Sequence, residues 1–282
     1  MKKPREITLS RREQKEWIPR KNARAETEAY MKLLQDNGIS VAAVDDTPQP
    51  YTPDSVFPNN WFSTHADGTL VLYPMFAQNR RYERKPDALN CIRNHFHPKR
   101  TLDLTHFEKD GLFLEGTGSM VLDRENRIVY ACRSPRTSEH ILADFCNELG
   151  YTSVVFDAAD RNGKPIYHTN VLMCVGSRFA VLCSDAIQNA EQFETVMSSL
   201  KKTGKTVVEI SFRQMEHFAG NMLEVQNQES RHFLVMSKTA RESLNAGQTS
   251  LLESFCTILS PDISCIETNG GGSARCMLAE IF

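Results

Sequence analysis

Three residues far apart in the sequence have the types that covalent hydrolysis needs: the thiol of Cys276, the imidazole of His168 and the carboxylate of Glu115. A free thiol is mostly protonated at neutral pH. An adjacent imidazole can take its proton, and a carboxylate can orient and charge that imidazole. The thiolate would attack a planar carbon bearing two or three heteroatoms and form a covalent adduct. The imidazole would then protonate the departing nitrogen and activate water. Cys276 follows the run Gly270-Gly271-Gly272, and glycines let a backbone come close to a ligand. Taken singly, each residue has a plainer reading: an inert cysteine behind a tight turn, or a structural histidine.

The spacing favours the chemical reading. Asn60, Glu115, His168, Asn221 and Cys276 each open an apolar segment, and they stand 55, 53, 53 and 55 positions apart. After each of the first four come a turn, a second apolar strand (LVLYPM, RIVYAC, FAVLCS, HFLVMS), a helical stretch and usually another strand. Repeats of this length point to propellers or arrays, in which equivalent positions of every unit meet around one axis. Five polar residues would then converge.

The elements that must position them follow from local signals. Residues 6–10 read as a strand, 25–35 as a helix stopped by Gly38, and 39–44 as a strand. That is half a unit, so the two ends of the chain are expected to complete a fifth unit with the 6–10 strand beside the Cys276 segment. Ser134 and Pro135 read as a helix cap and first-turn proline, with the helix running to Leu149 and Gly150 stopping it. Arg136 then stands in the first turn, where a guanidinium can bind a carboxylate; a solvated arginine explains it equally well. His168 and Asn170 alternate onto one face of a strand whose hairpin turns at Gly176-Ser177. Asn221 can simply cap its strand, and the loop 45–58 has the composition of a lid.

Composition narrows the classes. The chain has 282 residues, which as a propeller still folds as one domain, so a single domain over 1–282 is expected. A net charge of −2 gives no bulk attraction to nucleic acid. No apolar run approaches the ~20 residues that span a bilayer, and the polar start lacks a signal-peptide core. No membrane association and a cytoplasmic location are therefore expected. Eight cysteines without a CxxC pair read as reduced thiols, and no metal is expected. His95 and His97 have only Cys91 nearby and read as a solvated helix end. The basic NRRYERK, interrupted by Glu83, reads as a charged helix face.

The segments FLEG, HTN and GGGSARCM resemble the glutamate, histidine and cysteine motifs of the guanidine-modifying superfamily, which includes arginine deiminases, dimethylarginine hydrolases and amidinotransferases. The resemblance runs from about residue 25 to the last residues, and PNNWFSTHADG resembles most the citrulline-utilization hydrolase branch. It implies a five-bladed α/β propeller (pentein) of ββαβ repeats, with Glu115, His168 and Cys276 catalytic and no cofactor. The family's SxRT arginine, which holds the substrate α-carboxylate in several members, corresponds to Arg136. Arginine deiminases carry one aspartate two residues after the histidine and another in the first unit, where this chain has Asn170 and His65. Losing both carboxylates leaves little to balance a buried cation, whereas an asparagine can donate to and accept from a neutral ureido group.

The expected reaction is therefore citrulline to ornithine, ammonia and carbon dioxide, with Asn60, His65, Arg136, Asn170 and Asn221 binding the substrate. Three alternatives stay open: an arginine deiminase or dihydrolase that uses Asp54 or Asp67, an amidinotransferase, and a non-catalytic propeller like the ribosome-binding factor of the same architecture. The oligomeric state is open as well, a homodimer included.

Overall fold

The apolar strand pairs form hairpins, and each hairpin gains a third strand after a helix. A computed structural model describes the backbone of residues 11–282 and side chains from Asn22 onward. β1 (Phe62–Thr64) pairs antiparallel with β2 (Thr69–Leu72), which pairs parallel with β3 (Arg100–Asp103) beyond the helix Pro86–Phe96. The pattern recurs in β4 (Val121–Asp123), β5 (Ile128–Cys132) and β6 (Thr152–Phe156), with the helix Glu139–Leu149 before β6. It recurs again in β7 (Met173–Val175), β8 (Phe179–Leu182) and β9 (Thr206–Glu209), with the helix Ala190–Lys202. The fourth copy is β10 (Leu223–Gln226), β11 (His232–Val235) and β12 (Thr257–Leu259), with the helix Ala246–Glu253. The described residues thus form an α/β fold of four separate three-stranded sheets.

Local chemistry explains the repeat. A parallel third strand needs a crossover, and each helix supplies it. The middle strands β2 and β8 are buried at every residue, as strands covered on both faces should be. On the helix Glu139–Leu149 the buried residues Ile141, Leu142, Phe145, Cys146 and Leu149 make one helical face. Gly150 ends it in the left-handed region at φ 69°, its N–H bonded to the Cys146 carbonyl. Tyr130, Phe156, Phe179, Val208 and Leu234 lie in one apolar cluster, so the second, third and fourth units share a core.

The ends of the chain differ from expectation. Helix α1 (Arg11–Asp36) begins well before residue 25, and Gly38 follows it at φ 76°. Tyr30 and Leu34 are buried against Phe233, Ile263 and Ala274. Residues 39–44 form no strand. Their anchors are the Ile39 N–H on the Leu34 carbonyl and a Gln228 amide bond to Ser40 Oγ, which hold the segment to α1 and to the β10–β11 turn. Residues 277–282 are likewise outside any strand. The strand expected at 6–10 lies outside the described residues. Residues 39–50 and 278–282 border a cavity of about 1530 Å³, whose charged lining includes Arg124, Lys205, Arg275 and Glu280. Among the described residues the cysteines form no disulfide. Among the described residues no helix is long and apolar enough to cross a membrane.

Candidate active site

Each of the five spaced polar residues belongs to an irregular or single-turn segment; the first four stand just ahead of a strand, and no strand follows Cys276. Asn60 ends the 3₁₀ turn Pro58–Asn60, Glu115 precedes the turn Gly116–Ser119, and His168 precedes the turn Thr169–Val171. Asn221 follows Gly220 with its N–H on the Phe218 carbonyl, and the Cys276 N–H bonds the Ser273 carbonyl. The His168–Asn170 pair is therefore set by a turn and not by strand alternation. A turn bends the chain inward and leaves backbone groups free to bond the next unit, and these do. Asn59 Nδ2 donates to Thr117 Oγ1, Thr169 Oγ1 to the Ser119 carbonyl, and Asn221 Nδ2 to the Asn170 carbonyl. Asn221 Oδ1 accepts from the Arg275 N–H, and Thr64 Oγ1 donates to the Glu280 carbonyl.

Cys276 is held between two amides. Asn221 Nδ2 lies 3.3 Å and Asn170 Nδ2 3.7 Å from its sulfur. Asn221 thus bonds the thiol, the backbone N–H just before it and the neighbouring unit, which is more than a strand cap.

Glu115 is fully buried and has its oxygens committed: Oε1 accepts from the Phe76 N–H, and Oε2 accepts at 2.7 Å from His168 Nε2 and 2.8 Å from Arg136 Nη1. Burial raises the Glu115 carboxyl, but the His168 hydrogen bond and the His168 and Arg136 charges outweigh it and hold the group at about 2. Burial pushes His168 below its ordinary value, and Arg136 and Arg80 push the same way against the upward pull of Glu115. The resting pair is an ionised carboxylate bonded to a neutral imidazole through Nε2–H, which leaves Nδ1 as a base.

Arg136 is not in a helix. The helix starts at Glu139 because the Ser134 hydroxyl is used otherwise, accepting from the Arg136 N–H and donating to the Tyr167 carbonyl. That turn aims the Arg136 guanidinium between the Phe76 and Tyr167 rings, 5.4 Å from each centroid. His65 is not brought to the group. Its Nε2 meets Ser63 Oγ, its Nδ1 faces Arg124, and its ring packs near Phe145 and Tyr151. Burial and the Arg124 charge depress His65 to about 3 from 6.5. The unfolded chain binds a proton there below about pH 6.5 that the folded chain refuses until about pH 3, so stability falls as pH falls through that window. The slope is up to ~1.4 kcal/mol per pH unit. His65→Gln is expected to flatten it, read by urea unfolding at neutral and acidic pH. An unchanged acid dependence would refute the assignment.

Sequence reasoning missed several contributors. Gly118 leaves room for two side chains: a methyl there would lie 2.2 Å from Asn60 Nδ2 and 3.0 Å from His168 Nδ1. Arg80 bonds Asn60 Oδ1. Phe57 packs on the glycine run, where a Cβ at Gly270 or Gly272 would be 2.9 or 2.7 Å from its ring. Those glycines therefore admit an aromatic ring from the 45–58 loop. Tyr167 donates to the Gly271 carbonyl at 3.5 Å, so a ring and a loop flank the glycine run ahead of the thiol. The 1530 Å³ cavity borders Asn170 and Glu83, and its lining includes none of Asn60, Glu115, His168, Asn221 and Cys276. The GTG and NRR segments were visible signals, but their partners are distant in sequence.

The family model of the eukaryotic N,N dimethylarginine dimethylhydrolases matches residues 5–282. A search of curated proteins finds no match. Among solved structures, the N-terminal domain of ArgZ, an arginine dihydrolase from cyanobacteria, covalently bonded to a reaction intermediate, aligns at TM-score 0.70 and 19% identity, covering 92% of this chain and 87% of that one. AgrE in complex with ornithine and NAD+ aligns at 0.71 and 20% identity, covering 92% of this chain but 34% of that one. A dimethylarginine dimethylaminohydrolase adduct with 4-chloro-2-hydroxymethylpyridine aligns at 0.64 and 13% identity, covering 90% and 89%. At these identities the likeness is one of fold.

Proposed function

Because the chain belongs to the N,N dimethylarginine dimethylhydrolase family, a family of hydrolases in the guanidine-modifying superfamily, we propose that it cleaves a carbon–nitrogen bond of a small ureido amino acid, citrulline in preference to arginine. One observation carries the choice. Glu115 and Glu83, the buried carboxylates of the group, are each already paired with an arginine, and two asparagine amides hold the thiol. Of the four buried side-chain atoms without a partner among the described residues, three are Asn59 Oδ1, Asn170 Oδ1 and Asn60 Nδ2. Two open acceptors and one open donor match a ureido group, which offers N–H donors and one carbonyl oxygen. A buried unmet polar atom costs about 1–3 kcal/mol, so a ligand that satisfies it is favoured by that order.

In this reading His168 Nδ1 takes the Cys276 proton and the thiolate attacks the ureido carbon. The bond to the ornithine nitrogen breaks as imidazolium returns the proton to that nitrogen, leaving a carbamoyl group on sulfur. His168 then deprotonates a water that displaces the thiol, and the carbamate released falls to ammonia and carbon dioxide. Arg136 keeps Glu115 ionised and has further N–H groups at the mouth for the substrate carboxylate. The same reading makes residues 1–282 a single catalytic domain whose two ends complete a fifth unit.

The test is to follow ornithine, citrulline and ammonia from both amino acids. Citrulline is expected to exceed arginine in kcat/KM by at least ~100-fold. The acid limb of kcat/KM is expected below the ordinary histidine value, since His168 is depressed. Comparable turnover of arginine would remove the reading. The second reading is an arginine dihydrolase. The match to a family named for dimethylarginine favours it, and ornithine released from arginine in the same assay would establish it.

A further inference from the structure

The geometry points to Arg80 as a positioning residue that sets substrate choice by locking the Asn60 amide with its N–H2 toward the reacting group. This rests on the ureido reading and deepens it. Arg80 is 5% exposed. Its Nε and Nη2 bond the two Glu83 oxygens at 2.8 and 3.0 Å, Nη2 also donates to the Phe57 carbonyl, and Nη1 donates to Asn60 Oδ1 at 2.7 Å. A guanidinium carries donors only, so the Asn60 atom that faces it must be the oxygen. The nitrogen is then turned away from Arg80, and it is buried without a partner among the described residues.

Where it is turned is fixed by Gly118, since Asn60 Nδ2 and His168 Nδ1 border the same small space above that α-carbon. A free asparagine presents either end of its amide, but this one presents a donor beside the catalytic imidazole. A ureido oxygen accepts from it. A guanidinium has N–H2 there and no lone pair, so donor meets donor in a dry site and the cation is refused. Asn170, whose open atom is an acceptor, does not discriminate in this way, because both groups carry N–H donors.

The test compares kcat/KM for citrulline and arginine in the parent protein, in Asn60→Asp, and in Arg80→Met combined with Glu83→Gln, which avoids leaving a buried carboxylate alone. Asn60→Asp puts an acceptor where the N–H2 stood, and the citrulline-to-arginine ratio is expected to fall about 10- to 100-fold. The double variant frees the amide to rotate and is expected to lower the ratio in the same direction. If it fails to fold by circular dichroism, Asn60→Asp alone decides. A purely structural Arg80 would lower both rates together. A parent that prefers citrulline with a ratio unmoved in Asn60→Asp overturns this inference alone. A parent that prefers arginine overturns the ureido reading, and this inference with it.

Discussion

Cys276→Ala is expected to leave citrulline uncleaved, a loss of at least ~10⁴-fold in kcat, because the covalent route ends with its nucleophile. The fold should survive. Asn221 keeps its bonds to the Asn170 carbonyl and the Arg275 N–H, neither of which involves the sulfur. None of the other buried thiols can substitute. Burial pushes Cys132, Cys146 and Cys183 up to about 11 and Cys174 and Cys256 up to about 12, so these stay protonated at neutral pH. Intact-mass measurement on acid-quenched turnover mixtures should show a carbamoyl adduct on the parent and none on the variant. Turnover within tenfold of the parent would end the covalent scheme.

The second large effect is expected at a residue with no side chain. Gly118→Ala places a methyl 2.2 Å from Asn60 Nδ2 and 3.0 Å from His168 Nδ1, so one or both must move. Displacing a catalytic group by about an ångström costs on the order of 10²-fold, and that is the loss expected in kcat/KM. The obstacle is side-chain atoms and the glycine has no positive φ, so the thermal midpoint should fall little. Gly220→Ala is the contrast. Its methyl meets the Val171 carbonyl at 2.3 Å, a backbone atom between two units, and the expected result is a clear fall in stability. Equal damage to midpoint and rate in Gly118→Ala would show that Gly118 serves the fold and not the site.

How much of this could be read beforehand follows from the range of the signals. Strand pairs such as LVLYPM and FAVLCS were legible because apolar β-formers bounded by turns are local, and Gly38 and Gly150 stop their helices as their type predicts. The near-constant spacing brought out Glu115, His168, Asn221 and Cys276, and the structure joins Glu115 to His168 and Asn221 to Cys276. Placement was less legible than membership. His65 lies in the right unit, but the β1–β2 hairpin turns it toward Arg124. Ser134-Pro135 has the pattern of a cap and predicts a helix at Arg136, while a tertiary bond to the Tyr167 carbonyl claims the serine. Arg80 has the local pattern of a charged surface, but its partners are Asn60 and Phe57, and no local pattern reports burial by a chain segment 20 residues away.

The Tyr30 hydroxyl on α1 reaches the Ala274 carbonyl, two positions before Cys276 and 244 positions away along the chain. A ribosome releases Tyr30 long before it makes Cys276, so α1 must wait with its apolar face uncovered while four units are synthesised. Contacts of such separation form late in folding. The thiol therefore meets its amide neighbours only after nearly all the rest has assembled, and a nascent or half-folded molecule carries the sulfur without the means to use it.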